Sequence, residues 1–369
     1  MQQLLENAGY ETVPFEEGAD VYVINTCTVT NIADRKSRQM LHKAKKMNPD
    51  AIVVATGCYA QADTEKLKED TAVDLILGNN QKTQIVEALE EYEKEHAKQV
   101  QVIEINHTKE YEELSISSTA EHVRAYIKVQ DGCNQFCTYC IIPFARGRVR
   151  SRKIEEVLSE VETLAAKGYK EVVLTGIHLS SYGVDFPKEE RESLLSLIQA
   201  VSRVEGISRI RLGSLEPRII TEEFLEGIVK TGKVCPHFHL SLQSGCNKTL
   251  KNMNRRYSAQ EYAEKCELIR KFYPAPALTT DVIVGFPQET EEDFEESYEF
   301  VKKIHFYETH IFKYSRRHGT KAASMDGQLT EAAKAQRSDR MLELHEIRAR
   351  EYEEAMIGKK NGTSPGGRD

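Results

Sequence analysis

Short apolar runs alternate with longer amphipathic segments along most of the chain. In the first part, the apolar runs predict strands at residues 21–27, 51–58, 73–79 and 99–105. The segments between them repeat their apolar positions at helical spacing and predict helices at residues 30–48, 63–70 and 81–95. Strands that alternate with helices are typical of a parallel sheet. The sequence therefore predicts an N-terminal parallel-sheet α/β domain.

A second alternation follows in the remaining part of the chain. Strands are predicted at residues 124–130, 171–177, 209–214, 237–242, 278–286 and 309–315. Helices are predicted at residues 154–168, 191–204, 221–232, 258–272 and 290–304, several with Ser or Thr at the start and acidic residues in the first turn. Six repeats of strand and helix are too few for an eight-fold barrel and predict a partial (β/α)6 barrel. A last helix at residues 331–356 is expected to close its open side.

These patterns predict the division of the chain into domains. Residues 1–95 form the N-terminal domain, and the charged, Ser/Thr-rich residues 96–121 form a linker. Residues 122–330 form the partial barrel, residues 331–357 the C-terminal helix, and residues 358–369 a disordered tail.

Composition and charge narrow the classes of protein. The chain has 369 residues and a formal net charge of −8, so any contact with nucleic acid must rest on a local basic patch. No apolar run approaches the roughly 18 residues of a membrane span, and the N-terminus lacks the pattern of a signal peptide. We expect a cytoplasmic monomer without membrane contact. In that reducing compartment, eight cysteines indicate metal or redox chemistry rather than disulfides.

The segment 133-CNQFCTYC-140 directly follows the first predicted barrel strand. Its three thiolates, spaced C-x₃-C-x₂-C, would leave one iron of a four-iron cluster without a protein ligand, open to a small molecule. A zinc site completed by His122 or His178 is an alternative, and a redox pair in 137-CTYC-140 is another.

The cysteine spacing at this place in a partial barrel resembles the radical S-adenosylmethionine superfamily. The resemblance implies that Cys133, Cys137 and Cys140 are the catalytic cluster ligands. It also implies that the open iron takes the amino and carboxylate groups of S-adenosylmethionine, and that one electron cleaves the cofactor to a 5′-deoxyadenosyl radical.

The segments 24-INTCTVTN-31 and 56-TGCYAQ-61 resemble the methylthiotransferases, a subfamily with a second [4Fe-4S] cluster in the N-terminal domain. The resemblance implies that Cys27 and Cys58 are two of its three ligands. The family's first cysteine has no counterpart here, and neither has its C-terminal RNA-binding β-barrel. We therefore expect a chain truncated at both ends.

Further motifs at the strand ends are similar to the cofactor-binding motifs of the family. They are 175-TGIHLSSYG-183, 212-LGSLEP-217, 239-HLSLQSGC-246 and 281-DVIVGFPQET-290. They imply S-adenosylmethionine contacts by Tyr139, Gly176, Ser214, Glu216, Gln243, Asp281 and Val284. The basic run 146-RGRVRSRK-153 has two interpretations, a contact with tRNA phosphates or the cofactor carboxylate, and a solvated loop.

The motif combination most resembles the bacterial branch that methylthiolates N6-threonylcarbamoyladenosine beside the tRNA anticodon. This implies hydrogen abstraction from C2 of the adenine and transfer of a methylthio group. The implied partners are the tRNA anticodon loop and an electron donor such as flavodoxin or ferredoxin. Two alternatives stay open: a methylthiotransferase acting on an aspartate of a ribosomal protein, and a non-catalytic iron–sulfur or zinc module.

Overall fold

The computed structural model describes residues 1–114, 124–190 and 192–359. Within these, the chain divides into two compact units. Unit 1 comprises residues 1–114, 132–150 and 315–320, and unit 2 comprises residues 124–131, 151–190, 192–314 and 321–359. Unit 1 thus includes two segments, residues 132–150 and 315–320, that come later in the chain than the first residues of unit 2. His122 and almost all of the predicted tail lie outside the described residues.

Unit 1 is built on a parallel sheet with strands in the order β1-β2-β3-β4. The strands are β1 (Val21–Thr26), β2 (Ile52–Gly57), β3 (Leu75–Leu77) and β4 (Gln99–Gln101). The helices are α1 (Gln2–Asn7), α2 (Asn31–Met47), α3 (Cys58–Ala62), α4 (Thr64–Glu69), α5 (Ile85–Glu95) and α6 (Ile142–Arg146). Apolar side chains of the sheet are buried in two hydrophobic clusters. The predicted parallel sheet is confirmed, although the fourth strand ends sooner than its apolar pattern.

Unit 2 contains six parallel strands in sequence order, which form a curled half-barrel. They are β5 (Arg124–Asp131), β7 (Glu171–Gly176), β8 (Arg209–Leu212), β9 (His237–His239), β10 (Ala277–Val284) and β11 (Glu308–Lys313), and a two-residue strand β6 (Arg150–Ser151) follows β5. Strands β5, β7 and β8 pair side by side, as do β9, β10 and β11. A parallel bridge between Leu215 and Leu240 joins the two sets just after β8 and β9. The predicted partial barrel is confirmed.

Helices cover one face of the half-barrel and enclose one large hydrophobic cluster. They are α7 (Ile154–Ala166), α8 (Leu194–Ser202), α9 (Glu222–Val229), α10 (Asn247–Asn252), α11 (Ala259–Phe272), α12 (Glu291–Ile304) and α13 (Glu331–Met356). Hydroxyl caps are found at the predicted starts Thr30, Thr221, Ser258 and Thr290. Ser193 and Thr330 also cap helices, but the predicted helices begin at residues 191 and 331. The sequence pattern missed the short helices α1, α3, α6 and α10, because one or two turns are too short to show a period.

The C-terminal helix α13 packs against β11, β10 and α12. Arg337 on α13 forms a buried ion pair with Glu289 at 2.7 Å. Gly285, which follows β10 with a φ of +72°, lies so close to α13 that an added Cβ would be 2.4 Å from Lys334 Cγ. The helix therefore covers the last strands of the half-barrel, as the sequence predicts for its position in the chain.

Candidate iron–sulfur and cofactor-binding site

The segment that carries the three clustered cysteines, residues 132–150, is here called the cysteine loop. It begins directly after β5, at the carboxyl end of the first half-barrel strand. Gly132 has a φ of +71°, and a Cβ there would lie 1.8 Å from the carbonyl oxygen of Arg148. Only glycine fits this turn. The amide of Cys133 then donates to the carbonyl oxygen of Gly147 at 3.0 Å, which closes the loop on itself.

Internal contacts fix the rest of the cysteine loop. The amide of Cys140 donates to the carbonyl oxygen of Cys137 at 3.0 Å, so these two cysteines flank one turn. Phe136 adopts a φ of +50°, and the Arg148 guanidinium lies over its ring at 4.5 Å. Cys133 is buried, whereas Cys137 and Cys140 are half-buried. The turn thus exposes two sulfurs in part and holds the third within the loop.

Cys27 and Cys58 follow neighbouring parallel strands at the same edge of the unit 1 sheet. Thr26, the last residue of β1, pairs with Gly57, the last residue of β2. Gly57 has a φ of +95°, and a Cβ there would lie 2.5 Å from the carbonyl oxygen of Thr26. This close approach places the start of α3, and with it Cys58, beside the end of β1. Cys27 is exposed and Cys58 is buried.

Two side chains donate hydrogen bonds to the sulfur of Cys58. Arg146 Nε lies 3.0 Å from Cys58 Sγ, and Asn79 Nδ2 lies 3.8 Å from it. Asn79 follows β3 and also donates to the carbonyl oxygen of Ala145 at 2.7 Å, which ties it to α6. Hydrogen-bond donors around the sulfur are common for cysteines that bind iron–sulfur clusters. The surroundings of Cys58 therefore fit a cluster ligand better than an inert core thiol.

The segment 315–320 holds the chain around Cys27. Arg317 donates to Asn31 Oδ1 and Thr28 Oγ1, both at 2.6 Å, and forms a buried ion pair with Asp34. The Cys27 amide donates to the hydroxyl of Ser37 at 3.2 Å. Sequence reasoning missed Arg317, because a lone arginine far along the chain carries no local signal of its partners.

The structure places three arginines of the basic run 146–153 in contacts within the protein, which contradicts the solvated-loop interpretation for these residues. Arg146 binds Cys58, and Arg148 lies over Phe136. Arg150 is 1% exposed and donates to the carbonyl oxygen of Arg148, and Arg152 forms a buried ion pair with Glu160. These guanidiniums make contacts within their own units. Arg150 and Arg152 are therefore not solvated, since buried charges require partners, whereas a contact of the run with tRNA phosphates or the cofactor carboxylate stays a prediction.

The remaining predicted cofactor residues lie in unit 2 near the carboxyl ends of its strands, except Tyr139, which is half-buried in the cysteine loop. Gly176 ends β7, and a Cβ there would lie 2.8 Å from Gln130 Oε1. Ser214 is exposed two residues after β8. Val284 ends β10 with its side chain buried in the hydrophobic cluster.

Glu216 is held in a polar cluster that joins two strand ends. Its amide donates to Ser180 Oγ at 2.8 Å, and its carboxylate lies 3.5 Å from His178 Nε2 and 3.3 Å from Arg218. Burial opposes ionisation of this carboxylate, but the hydrogen bonds from His178 and Arg218 outweigh burial and lower its pKa to about 2. His178, weighed as a zinc ligand, instead contacts Ser181 and Glu216.

Gln243 and Asp281 are brought together by the backbone. The Gln243 amide donates to the carbonyl oxygen of Asp281 at 2.8 Å, and Gln243 adopts a φ of +72°. A non-glycine residue in the left-handed region is strained, and such strain is common at binding sites. The Asp281 carboxylate, however, faces the His239 ring, with Nε2 and Oδ2 3.2 Å apart. The cofactor contacts of all these residues stay predictions.

Comparison with known proteins agrees with this arrangement. A family profile described as "Radical SAM superfamily" matches residues 127–301, and one described as "Uncharacterized protein family UPF0004" matches residues 1–78. The chain is 47% identical to threonylcarbamoyladenosine tRNA methylthiotransferase MtaB of Aquifex aeolicus over 95% of this chain and 85% of that protein. The chain belongs to the radical S-adenosylmethionine methylthiotransferase family.

Other relatives extend the comparison. The Bacillus subtilis protein of the same name is 44% identical over 95% of this chain and 77% of that protein. The tRNA-2-methylthio-N(6)-dimethylallyladenosine synthase of Moorella thermoacetica is 38% identical over 98% of this chain and 82% of that protein. Among solved structures, the radical S-adenosylmethionine methyltransferase TsrM of Kitasatospora setae shares the fold, with a TM-score of 0.63 and 16% identity over 87% of this chain and 72% of that one.

Membership of this family implies a [4Fe-4S] cluster and S-adenosylmethionine as cofactors. The donor set fits, because the cysteine loop presents thiolates, which are the ligands of such clusters. The described part of the chain contains no helix long and apolar enough to cross a membrane.

Proposed function

We propose that this chain methylthiolates N6-threonylcarbamoyladenosine in tRNA. The observation that carries the proposal is the cysteine loop at the end of the first half-barrel strand, in a chain 47% identical to an enzyme named for that substrate. The cluster, when bound, supplies one-electron cleavage of S-adenosylmethionine. Cys133, Cys137 and Cys140 would hold it, and the turn at Gly132 orients them.

We infer that Cys27 and Cys58 hold a second cluster, together with a third ligand. Both sulfurs follow strands that end at the same edge of the sheet, and Arg146 and Asn79 donate to Cys58. All five cysteines belong to unit 1. A site for the sulfur to be transferred would therefore be built by the same unit as the cysteine loop. An electron donor such as flavodoxin or ferredoxin would supply the reducing equivalents.

The product test compares substrates in one assay. The cluster-loaded chain is incubated without air with S-adenosylmethionine, a strong reductant and tRNA that carries N6-threonylcarbamoyladenosine, and the digested nucleosides are analysed by mass spectrometry. We expect a 2-methylthio product from this tRNA and none with the C137A variant.

Parallel reactions contain tRNA with N6-dimethylallyladenosine, the substrate named for relatives that are 36 to 38% identical, and a ribosomal protein. Modification of either one in preference to the threonylcarbamoyl substrate would contradict the proposal.

A further inference from the structure

Two histidines and an aspartate converge on the inner face of the half-barrel. Of the described residues, His239, Asp281 and His310 form the one group of three metal-ligating side chains whose ligand atoms all lie within 4.8 Å of one another. His239 is on β9, Asp281 on β10 and His310 on β11. No cysteine takes part, so this group is separate from the thiolates of unit 1.

The strand register explains why these side chains meet. In the parallel pairing, His239 stands opposite Thr279, and His310 stands opposite Asp281. Thr279 and Asp281 are two residues apart on β10, so their side chains share a face of the sheet. The intervening Phe238, Leu240, Thr280 and Val282 are buried on the other face. The regular alternation of three adjacent strands thus places all three ligands on one side.

The His239 ring has a hydrogen-bond partner that fixes its orientation, and the exposed His310 ring stacks on it. His239 Nδ1 lies 3.0 Å from Thr279 Oγ1, and its Nε2 lies 3.2 Å from Asp281 Oδ2. His310 Nδ1 lies 3.8 Å from Glu308 Oε1, and the two rings stack with centroids 5.7 Å apart. Metal-binding histidines usually have such an outer contact to a hydroxyl or carboxylate on the second ring nitrogen. In His239 that contact engages Nδ1 and leaves Nε2, which faces Asp281, for a metal.

We propose that His239, Asp281 and His310 bind one divalent transition-metal ion of the zinc class. Two imidazoles and one carboxylate suit zinc or ferrous iron, and three protein ligands leave coordination positions for water or a substrate oxygen. Thr279 orients His239 through its Nδ1 and is a positioning residue for the metal.

Zinc titration of the cluster-loaded full chain, followed by calorimetry without air, tests the proposal. We expect one zinc ion per chain beyond the metal of the clusters. H310A should weaken zinc binding by at least about 100-fold, and T279V, which removes the hydroxyl beside His239 Nδ1, by about 10-fold to 100-fold. His310 is exposed, so H310A leaves the core intact, and an unchanged circular dichroism spectrum checks this.

The matched control is H42A. His42 Nε2 lies 2.9 Å from Asp70 Oδ2, which gives a histidine–carboxylate pair like that of His239 but outside any three-ligand group of the described residues. H42A should bind zinc as the parent chain does. Absence of the additional zinc from the parent chain, or equally tight zinc binding by H310A, would overturn the proposal. Formation of 5′-deoxyadenosine is measured separately and does not enter this test.

Discussion

At the scale of single residues, the contact between Arg146 Nε and Cys58 Sγ gives a specific prediction about the second cluster. Loss of a charge-assisted hydrogen bond to the sulfur weakens the thiolate as a ligand. We expect R146M to speed release of part of the bound iron to a chelator by about 10-fold, the size of an outer-contact effect. The measurement is iron released over time from the cluster-loaded chain.

R148M is the control for that experiment. Arg148 lies on the same loop and loses the same charge, but its guanidinium contacts the Phe136 ring. It should release iron as the parent chain does. Equal rates in R146M and R148M would mean that the contact with Cys58 does not hold the cluster.

Glu216 gives a prediction about pH. Its folded-state pKa of about 2 lies below the ordinary value of 4.5, so its ionised form adds stability above pH 4.5, and that stability is lost as the pH falls toward 2. The contribution is about 3 kcal/mol. As the pH falls from 4.5 to 2, the urea midpoint of unfolding should therefore decrease less in E216Q than in the parent chain. The midpoints are measured by circular dichroism on the chain without clusters. E226Q, which removes an exposed carboxylate on α9, should keep the parent slope.

At the scale of elements, the turn that starts the cysteine loop depends on Gly132. In G132A, the new Cβ would meet the Arg148 carbonyl at 1.8 Å in a left-handed conformation. Gly168 has a φ of +93° but nothing within 4 Å of its Cβ position, so G168A bears only the conformational cost of about 1 kcal/mol. We expect G132A to lower the free energy of unfolding by at least about 2 kcal/mol more than G168A. Similar urea midpoints for the two variants would contradict this.

Helix α13 is attached to the half-barrel through the buried pair of Arg337 and Glu289. Removing one partner of a buried pair leaves an uncompensated charge and costs about 3 to 5 kcal/mol. R337M should lose this much stability in urea denaturation. The control is R340M on the same helix, which breaks the more exposed pair of Arg340 with Glu295 of α12. It should lose at most about 1 kcal/mol. A similar loss of stability in both variants would contradict the larger contribution expected of the buried pair.

At the scale of the whole molecule, the periodicity of hydrophobic residues predicted both parallel sheets, because the patterns of strands and helices are set by residues close together in sequence. The cysteine loop was also found from its spacing. The partners of Arg146 and Arg317 could not be predicted from the sequence, since an arginine looks the same in the sequence whether its side chain is solvated or contacts a sulfur or a carboxylate. His239 and His310 lie on strands that are distant in sequence. Only the register of β9, β10 and β11 brings them together.

The central claim is that three thiolates of the cysteine loop hold a cluster that cleaves S-adenosylmethionine. The most direct measurement is 5′-deoxyadenosine formed by the reduced, cluster-loaded chain without air, quantified by mass spectrometry. We expect product from the parent chain and from C266A, whose cysteine is buried in the core, and none from C137A. No 5′-deoxyadenosine from the parent chain, or undiminished product from C137A, would contradict it.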